Sequence, residues 1–169
     1  SQGAQFVSAI ACDAILDLPQ ELRKKIRVMH QCRPEDVFTI KSKYEASKIQ
    51  SETKSFFTDI SSSLNEANLI ISRSGASSLA EFCIFGRPSI LIPLPSAVGN
   101  HQALNAAIME ESGASVVLNQ NCVTSHQLSR KICYILENFK VANKMAISAK
   151  KQSQPDAAFN FAIELETLI

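Results

Sequence analysis

The sequence predicts an α/β fold in which helices alternate with short strands of a Rossmann-like, doubly wound parallel sheet. Apolar runs such as Leu69–Ile71 and Ser89–Ile92 lack polar alternation, as expected of strands that are buried on both faces. Helical segments separate these runs, and strands that are separated by helices form parallel sheets. A chain of 169 residues has the length of one domain, so we treat residues 1–169 as a single unit.

The predicted elements follow in order along the chain. Apolar residues at helical spacing predict a first helix that ends near Pro19. Pro34-Glu35-Asp36 is typical of a helix start, because proline is tolerated in the first turn. Thr124–Gln127 has the form of a capping box, which predicts a long helix to about Asn138, with two more helices after it. The predicted strands are Ile26–Met29, Ser55–Phe57, Leu69–Ile71, Ser89–Ile92 and Ser115–Leu118, with a short helix at Ile60–Asn65.

The segment Ser72–Glu81 is the most informative part of the chain. Arg73-Ser74-Gly75 predicts a tight turn between a strand and a helix that begins at Gly75-Ala76. The start of such a helix presents unpaired N–H groups and a positive dipole end, and the guanidinium of Arg73 would add a cation. Glu81 follows one and a half turns later, where its carboxylate can accept two hydrogen bonds from a vicinal diol such as ribose. The unit therefore predicts a nucleotide diphosphate site.

A second polar pair follows the next predicted strand. His101 and Gln102 lie at the start of a helix, after a loop at Leu94–Gly99. Each side chain can both donate and accept hydrogen bonds, which suits a sugar whose hydroxyls do both. A simpler alternative is that Asn100 caps the helix and His101 is only solvated.

Four motifs occur in order: SRSGASSLAE, FGRPSILIPLP, NHQALNA and ESGAS. Together they resemble the donor-binding, C-terminal domain of the bacterial GT-B transferases that move N-acetylglucosamine from UDP-N-acetylglucosamine to lipid I. The product of that reaction is lipid II of peptidoglycan synthesis. The opening SQGA resembles the end of the family's Gly-Gly-Ser-Gln-Gly-Ala loop, and QPDAA at 154–158 resembles its closing helix, which is expected at 155–169.

The resemblance implies a set of substrate-binding residues. The opening loop and the Arg73 turn would face the diphosphate, Glu81 the ribose, and His101 with Gln102 the hexose. The backbone of Phe57 would meet the uracil. The full set is Ser1, Gln2, Gly3, Phe57, Arg73, Ser74, Gly75, Ala76, Glu81, His101, Gln102 and Asn105.

The residues contain no convincing catalytic base. There is no Ser-His-Asp set, no paired carboxylates and no metal-binding pattern, so no catalytic residue, metal or cofactor is expected in this sequence. The chain would bind the donor and stabilise the departing diphosphate. The resemblance implies that its partner half is an N-terminal acceptor domain, which carries the base and binds the lipid-linked acceptor. That domain, and a first strand before Ser1, are expected to belong to a longer protein, and the 169 residues alone are expected to be inactive.

Composition and charge restrict the partners. A net charge of +1 without a basic run gives no reason to expect nucleic acid. Five dispersed cysteines do not form a zinc-binding pattern. No apolar run is long enough to cross a bilayer. The resemblance implies a cytoplasmic protein, peripheral on the inner membrane, whose membrane contact is made only by the acceptor domain.

Two other functions remain open at this point. The chain could belong to another UDP-sugar transferase, such as a glycolipid synthase with a diacylglycerol acceptor. It could also be the donor-binding subunit of a split two-subunit transferase. A dinucleotide-binding domain fits poorly, because no complete GxGxxG is present.

Overall fold

The computed structural model describes residues 2–155, with side chains from Gln5 onward. Its helices are α1 Gln2–Leu16, α2 Gln20–Arg23, α3 Val37–Ala46, α4 Ile60–Glu66, α5 Ala76–Phe85, α6 His101–Glu111, α7 Ser125–Glu137 and α8 Phe139–Lys151. Its strands are β1 Arg27–Gln31, β2 Gln50–Lys54, β3 Ile70–Ser72, β4 Ser89–Leu91 and β5 Ser115–Val117. Short 3₁₀ turns occupy Pro34–Asp36 and Val98–Asn100. Apart from Pro155, the closing helix expected at 155–169 lies outside the described residues. No helix in the described part is long and apolar enough to span a membrane.

The strands form two parallel sheets, which confirms the predicted α/β class. One sheet pairs β1 with β2, and the other has the order β3-β4-β5. Ile70 lies opposite Ser89, so the predicted adjacency of these two strands is confirmed. Within residues 2–155 the two sheets are not hydrogen-bonded to each other. The first strand expected before Ser1 stays a prediction.

The strand predicted at Ser55–Phe57 is wrong. The chain forms β2 five residues earlier, at Gln50–Lys54, and Phe56 after it is 69% exposed. Sequence periodicity missed β2 because its five residues, QSETK, contain no apolar side chain. Its backbone pairs with β1, which begins at Arg27 and runs two residues beyond the predicted end to Gln31.

The centre of the larger sheet is buried on both faces. Ile90, Leu91 and Ile92 are fully buried, and they alternate between two apolar clusters on opposite sides of β4. Burying each such side chain contributes about 1.5–3 kcal/mol. Ser89 and Ser115, also buried, satisfy each other through a 2.6 Å hydrogen bond between their hydroxyls. The apolar runs therefore indicated these strands correctly.

Parallel strands place their carboxyl ends at one edge of the sheet. The segments after β3, β4 and β5 meet at this edge, where α/β folds bind ligands. Helix α5 begins at this edge and ends at Phe85, where its C-cap residue Gly86 has a φ of +59°, a conformation that favours glycine. The capping box of Thr124 and Gln127 that starts α7 is present, as predicted.

Candidate functional site

The strand–turn–helix unit forms as predicted. Strand β3 ends at Ser72, and α5 begins at Ala76 with Gly75 as its N-cap residue. Among the described residues, no side chain caps this helix, and a Cβ added at Gly75 would meet no atom within 4 Å. The first N–H groups of α5 are therefore not used by a side-chain cap, and a helix N-terminus of this kind is suited to an anion.

Ser74 and Asn105 join the turn to α6. Ser74 is fully buried, and its hydroxyl donates to the backbone oxygen of Gln102 at 2.7 Å. The Asn105 amide donates to the Ser74 carbonyl at 3.1 Å. Both side chains thus hold the start of α6 against the turn before α5. Their direct contact with substrate stays a prediction.

Arg73 reaches across the ends of the neighbouring strands. Its Nη1 donates to the carbonyls of Ile92 at 2.8 Å and Pro93 at 3.0 Å, and its Nη2 donates to Oε1 of Gln120 at 2.5 Å. The guanidinium carbon lies 6.0 Å from the ring centroid of Phe6, which places that part of α1 at the same edge. Burial lowers the pKa of the Arg73 guanidinium from its usual value. The predicted contact between Arg73 and the diphosphate stays a prediction.

Glu81 lies exposed on α5. Within the described residues its carboxylate takes part in no hydrogen bond or ion pair. No arginine or lysine among the described residues therefore pairs with this carboxylate, whereas such a pair would be expected if Glu81 were only a structural surface residue. The two oxygens of Glu81 remain able to accept from a diol.

His101 and Gln102 each hold the loop that precedes them. Nδ1 of His101 lies 2.6 Å from the carbonyl oxygen of Val98. A carbonyl only accepts, so Nδ1 of this exposed ring carries a proton, and in the tautomer with only that proton Nε2 is an acceptor. Oε1 of Gln102 accepts from the Leu94 N–H at 3.0 Å, which leaves its amide N–H groups as donors. Asn100 adopts a left-handed conformation and its side chain makes no cap.

Phe57 lies beside a surface cavity of about 180 Å³, between β1, β2 and the start of α4. Nζ of Lys54 lies 5.5 Å from the centroid of its ring, and Lys54 also pairs with Glu52 at 2.6 Å. The hydrogen bond from Lys54 lowers the pKa of Glu52. Arg27 pairs with the same carboxylate at 3.2 Å. Sequence reasoning missed these charged side chains, because they belong to the polar strand β2 and the start of β1.

The structure brings part of the predicted set together. Hydrogen bonds join Ser74 to Gln102 and Asn105, whereas Phe57 lies after β2 in the other sheet. Gln2 and Gly3, predicted as a loop before the helix, lie in the first turn of α1, and their side chains are not described. Ser1 lies outside the described residues. Sequence reasoning missed Gln120, although its place just beyond a predicted strand could have indicated it.

The profile of the glycosyltransferase family 28 C-terminal domain matches residues 1–161. Two curated relatives are named UDP-N-acetylglucosamine--N-acetylmuramyl-(pentapeptide) pyrophosphoryl-undecaprenol N-acetylglucosamine transferase. The one from Paramagnetospirillum magneticum is 37% identical over 158 residues, which is 94% of this chain and 43% of the relative. The one from Wolbachia pipientis subsp. Culex pipiens is 38% identical over 151 residues, which is 89% of this chain and 44% of the relative.

Solved structures agree with these sequence relatives. The crystal structure of Acinetobacter baumannii MurG matches with a TM-score of 0.84 and 26% identity, over 98% of this chain and 47% of that one. A glycosyltransferase of kitacinnamycin matches at 0.61 with 14% identity, over 85% of this chain and 34% of that one, which supports the fold alone. The chain spans less than half the length of the curated relatives it matches.

Proposed function

Since the chain belongs to glycosyltransferase family 28, as its C-terminal domain, we propose that it binds UDP-N-acetylglucosamine as the donor half of a GT-B transferase. The whole enzyme would transfer N-acetylglucosamine to lipid I and form lipid II in peptidoglycan synthesis. The names of the relatives support both the donor and an undecaprenyl-linked acceptor over a glycolipid synthase. The observation that carries the donor assignment is the uncapped start of α5, followed on the same helix by the carboxylate of Glu81, which pairs with none of the described residues.

The diphosphate, the ribose and the sugar would lie at the carboxyl edge of the larger sheet, and the uracil would lie beside the smaller one. The diphosphate lies at the first turn of α5, at Gly75 and Ala76, where N–H groups and the helix dipole are favourable for negative charge. The ribose hydroxyls donate to Glu81. The sugar donates one hydroxyl to Nε2 of His101 and accepts from the amide of Gln102. The uracil meets the backbone at Phe57.

This half of the enzyme contributes binding and charge stabilisation. As the glycosidic bond breaks, negative charge grows on the departing diphosphate, and the fixed N–H groups of α5 stabilise it without reorganising. The opening residues Ser1, Gln2 and Gly3 would also contact the diphosphate. The base that deprotonates the acceptor hydroxyl and the acceptor site itself belong to an N-terminal domain of the longer protein. That protein is proposed to act on the cytoplasmic face of the inner membrane.

The test is a titration of the 169-residue chain with UDP-N-acetylglucosamine, UDP-glucose and GDP-mannose. The first should bind most tightly. Glu81→Ala should weaken UDP by the cost of a hydrogen bond to a charged group, about 1.5–3 kcal/mol. Glu111→Ala, which removes another exposed glutamate at the end of α6, is the matched control. If Glu81→Ala binds UDP as tightly as the parent chain, the ribose is held elsewhere.

A further inference from the structure

Arg73 is bound to main-chain oxygens instead of facing open space. Both N–H groups of Nη1 are used, one by the Ile92 carbonyl and one by the Pro93 carbonyl. Nη2 donates to Gln120, which follows the adjacent strand β5. The planar guanidinium has its donors in a fixed fork, so these contacts also fix the orientation of the group. Arg73 thus links the segments after β3, β4 and β5.

The loop that contains Pro93 also contacts the two side chains that are proposed to bind the sugar. The next residue, Leu94, donates its N–H to Oε1 of Gln102. At the other end of the same loop, the Val98 carbonyl accepts from Nδ1 of His101. The loop 92–98 is therefore held at its start by Arg73, and in turn it orients Gln102 and His101. A shift of residues 92–94 would rotate the amide of Gln102 away from the sugar.

These contacts connect residues that are far apart in sequence. We infer that Arg73 and Gln120 are positioning residues for the N-acetylglucosamine moiety, which they set through the loop 92–98, and that neither binds the diphosphate. This inference rests on the proposed function for the identity of the sugar. It differs from the sequence expectation, in which Arg73 meets the phosphates directly. Gln120 would then affect binding of the sugar without contacting the ligand.

Two ligands separate the two roles of Arg73, because UDP has the diphosphate without the sugar. Gln120→Met keeps the side-chain length and removes the acceptor, and should weaken UDP-N-acetylglucosamine by about threefold to tenfold, the cost of one hydrogen bond. UDP affinity should change by less than about twofold, since the α5 N-terminus is untouched. Gln120→Glu keeps an acceptor for Arg73 and should restore binding of the sugar nucleotide. Arg73→Lys, which cannot form the fork, should show the same split.

Arg87→Lys is the matched control. Arg87 donates to the Asn65 carbonyl at 2.6 Å at the opposite, amino end of β4, so its loss should leave both affinities unchanged. Equal weakening of UDP and UDP-N-acetylglucosamine by Gln120→Met and Arg73→Lys would overturn the inference and return Arg73 to the diphosphate. No change in either affinity would overturn it as well.

A measurement without ligand keeps this inference separate from the proposed function. The Leu94 amide proton is protected by Gln102, so its hydrogen exchange in the free chain reports the loop directly. Gln120→Met should speed that exchange by about tenfold or more, and Arg87→Lys should not change it. Unchanged exchange in Gln120→Met would refute the link even if the parent chain binds the nucleotide sugar. If the parent binds no UDP-sugar and the exchange still responds, the proposed function and the identity of the sugar fail, whereas the link from Arg73 and Gln120 to the loop stands.

Discussion

A buried histidine makes the stability of this domain depend on pH. His30 on β1 is 7% exposed, and its Nε2 lies 2.7 Å from the hydroxyl of Ser8 on α1. Its Nδ1 lies 2.8 Å from the hydroxyl of Tyr44 on α3, which is fully buried. Burial lowers the pKa of His30 from 6.5 to about 4, because a charged imidazolium would lose its hydration. The neutral ring therefore joins two helices to the strand.

The direction of the pH dependence follows from which state, folded or unfolded, binds the proton first as the pH falls. The folded pKa is below the unfolded one, so between pH 6.5 and 4 the unfolded chain binds a proton that the folded chain does not. The stabilisation is present above pH 6.5 and is lost as the pH falls towards 4. At 1.36 kcal/mol per unit, the free energy of unfolding should fall by about 2 kcal/mol from pH 7 to pH 5. The loss should reach about 3 kcal/mol at pH 4.

Urea unfolding at pH 7, 6 and 5 measures this loss. Other groups also titrate in this range, so the relevant quantity is the difference between the parent and His30→Gln. The neighbouring Cys12 and Cys32 do not contribute, because burial raises the pKa of both thiols. The free energy of unfolding of the parent should fall by about 2 kcal/mol more than that of His30→Gln between pH 7 and 5.

A neutral neighbour provides the control for this experiment. Thr53 lies opposite His30 on β2, and its buried hydroxyl has no hydrogen-bond partner among the described residues. Thr53→Val keeps the shape and removes no titrating group, so it should keep the pH slope of the parent. Equal slopes for the parent and His30→Gln would show that His30 is protonated to the same extent in both states. The burial argument would then be refuted.

Three further predictions concern the sugar, the capping box and activity. In Gln102→Ala, discrimination between UDP-N-acetylglucosamine and UDP-glucose should fall in competition binding, because a site that hydrogen-bonds a substrate group rejects analogues which leave its polar atoms unpaired. Unchanged discrimination would mean that other residues recognise the sugar. Thr124→Ala removes the hydrogen bond from the Gln127 N–H at 3.2 Å and should lower the free energy of unfolding by about 1 kcal/mol, measured by thermal melts. A loss near zero would show that the cap does not stabilise the domain. The 169 residues alone should show no turnover in a transfer assay, and an added N-terminal domain should restore turnover. Turnover without that domain would require a base in this chain, and His101 would be the first residue to test.

Local sequence was enough for the elements whose pattern is local. The run Leu69–Ile71 and the run Ser89–Ile92 predicted neighbouring parallel strands, because burial on both faces requires apolar residues in succession. Thr124 and Gln127 predicted the start of α7, because the capping box is made within four residues. Strand β2 was missed because its side chains are polar and form no apolar run, so only pairing with β1 makes it a strand.

The residue types of the candidate site were also readable from the sequence, whereas their contacts were not. The uncapped turn at Gly75 and the carboxylate of Glu81 follow from a strand, a turn and a helix that are continuous in the chain. The bond from Arg73 to Gln120 spans 47 residues, and that from Ser8 to His30 spans 22. Such pairs form only when β5 is placed beside β4, or α1 against β1. Sequence by itself therefore determined which chemical groups the site contains. The parallel packing of the strands decided which of these groups are left to face a ligand and which hold the loops, because only packing sets the distances between residues that are far apart in the chain.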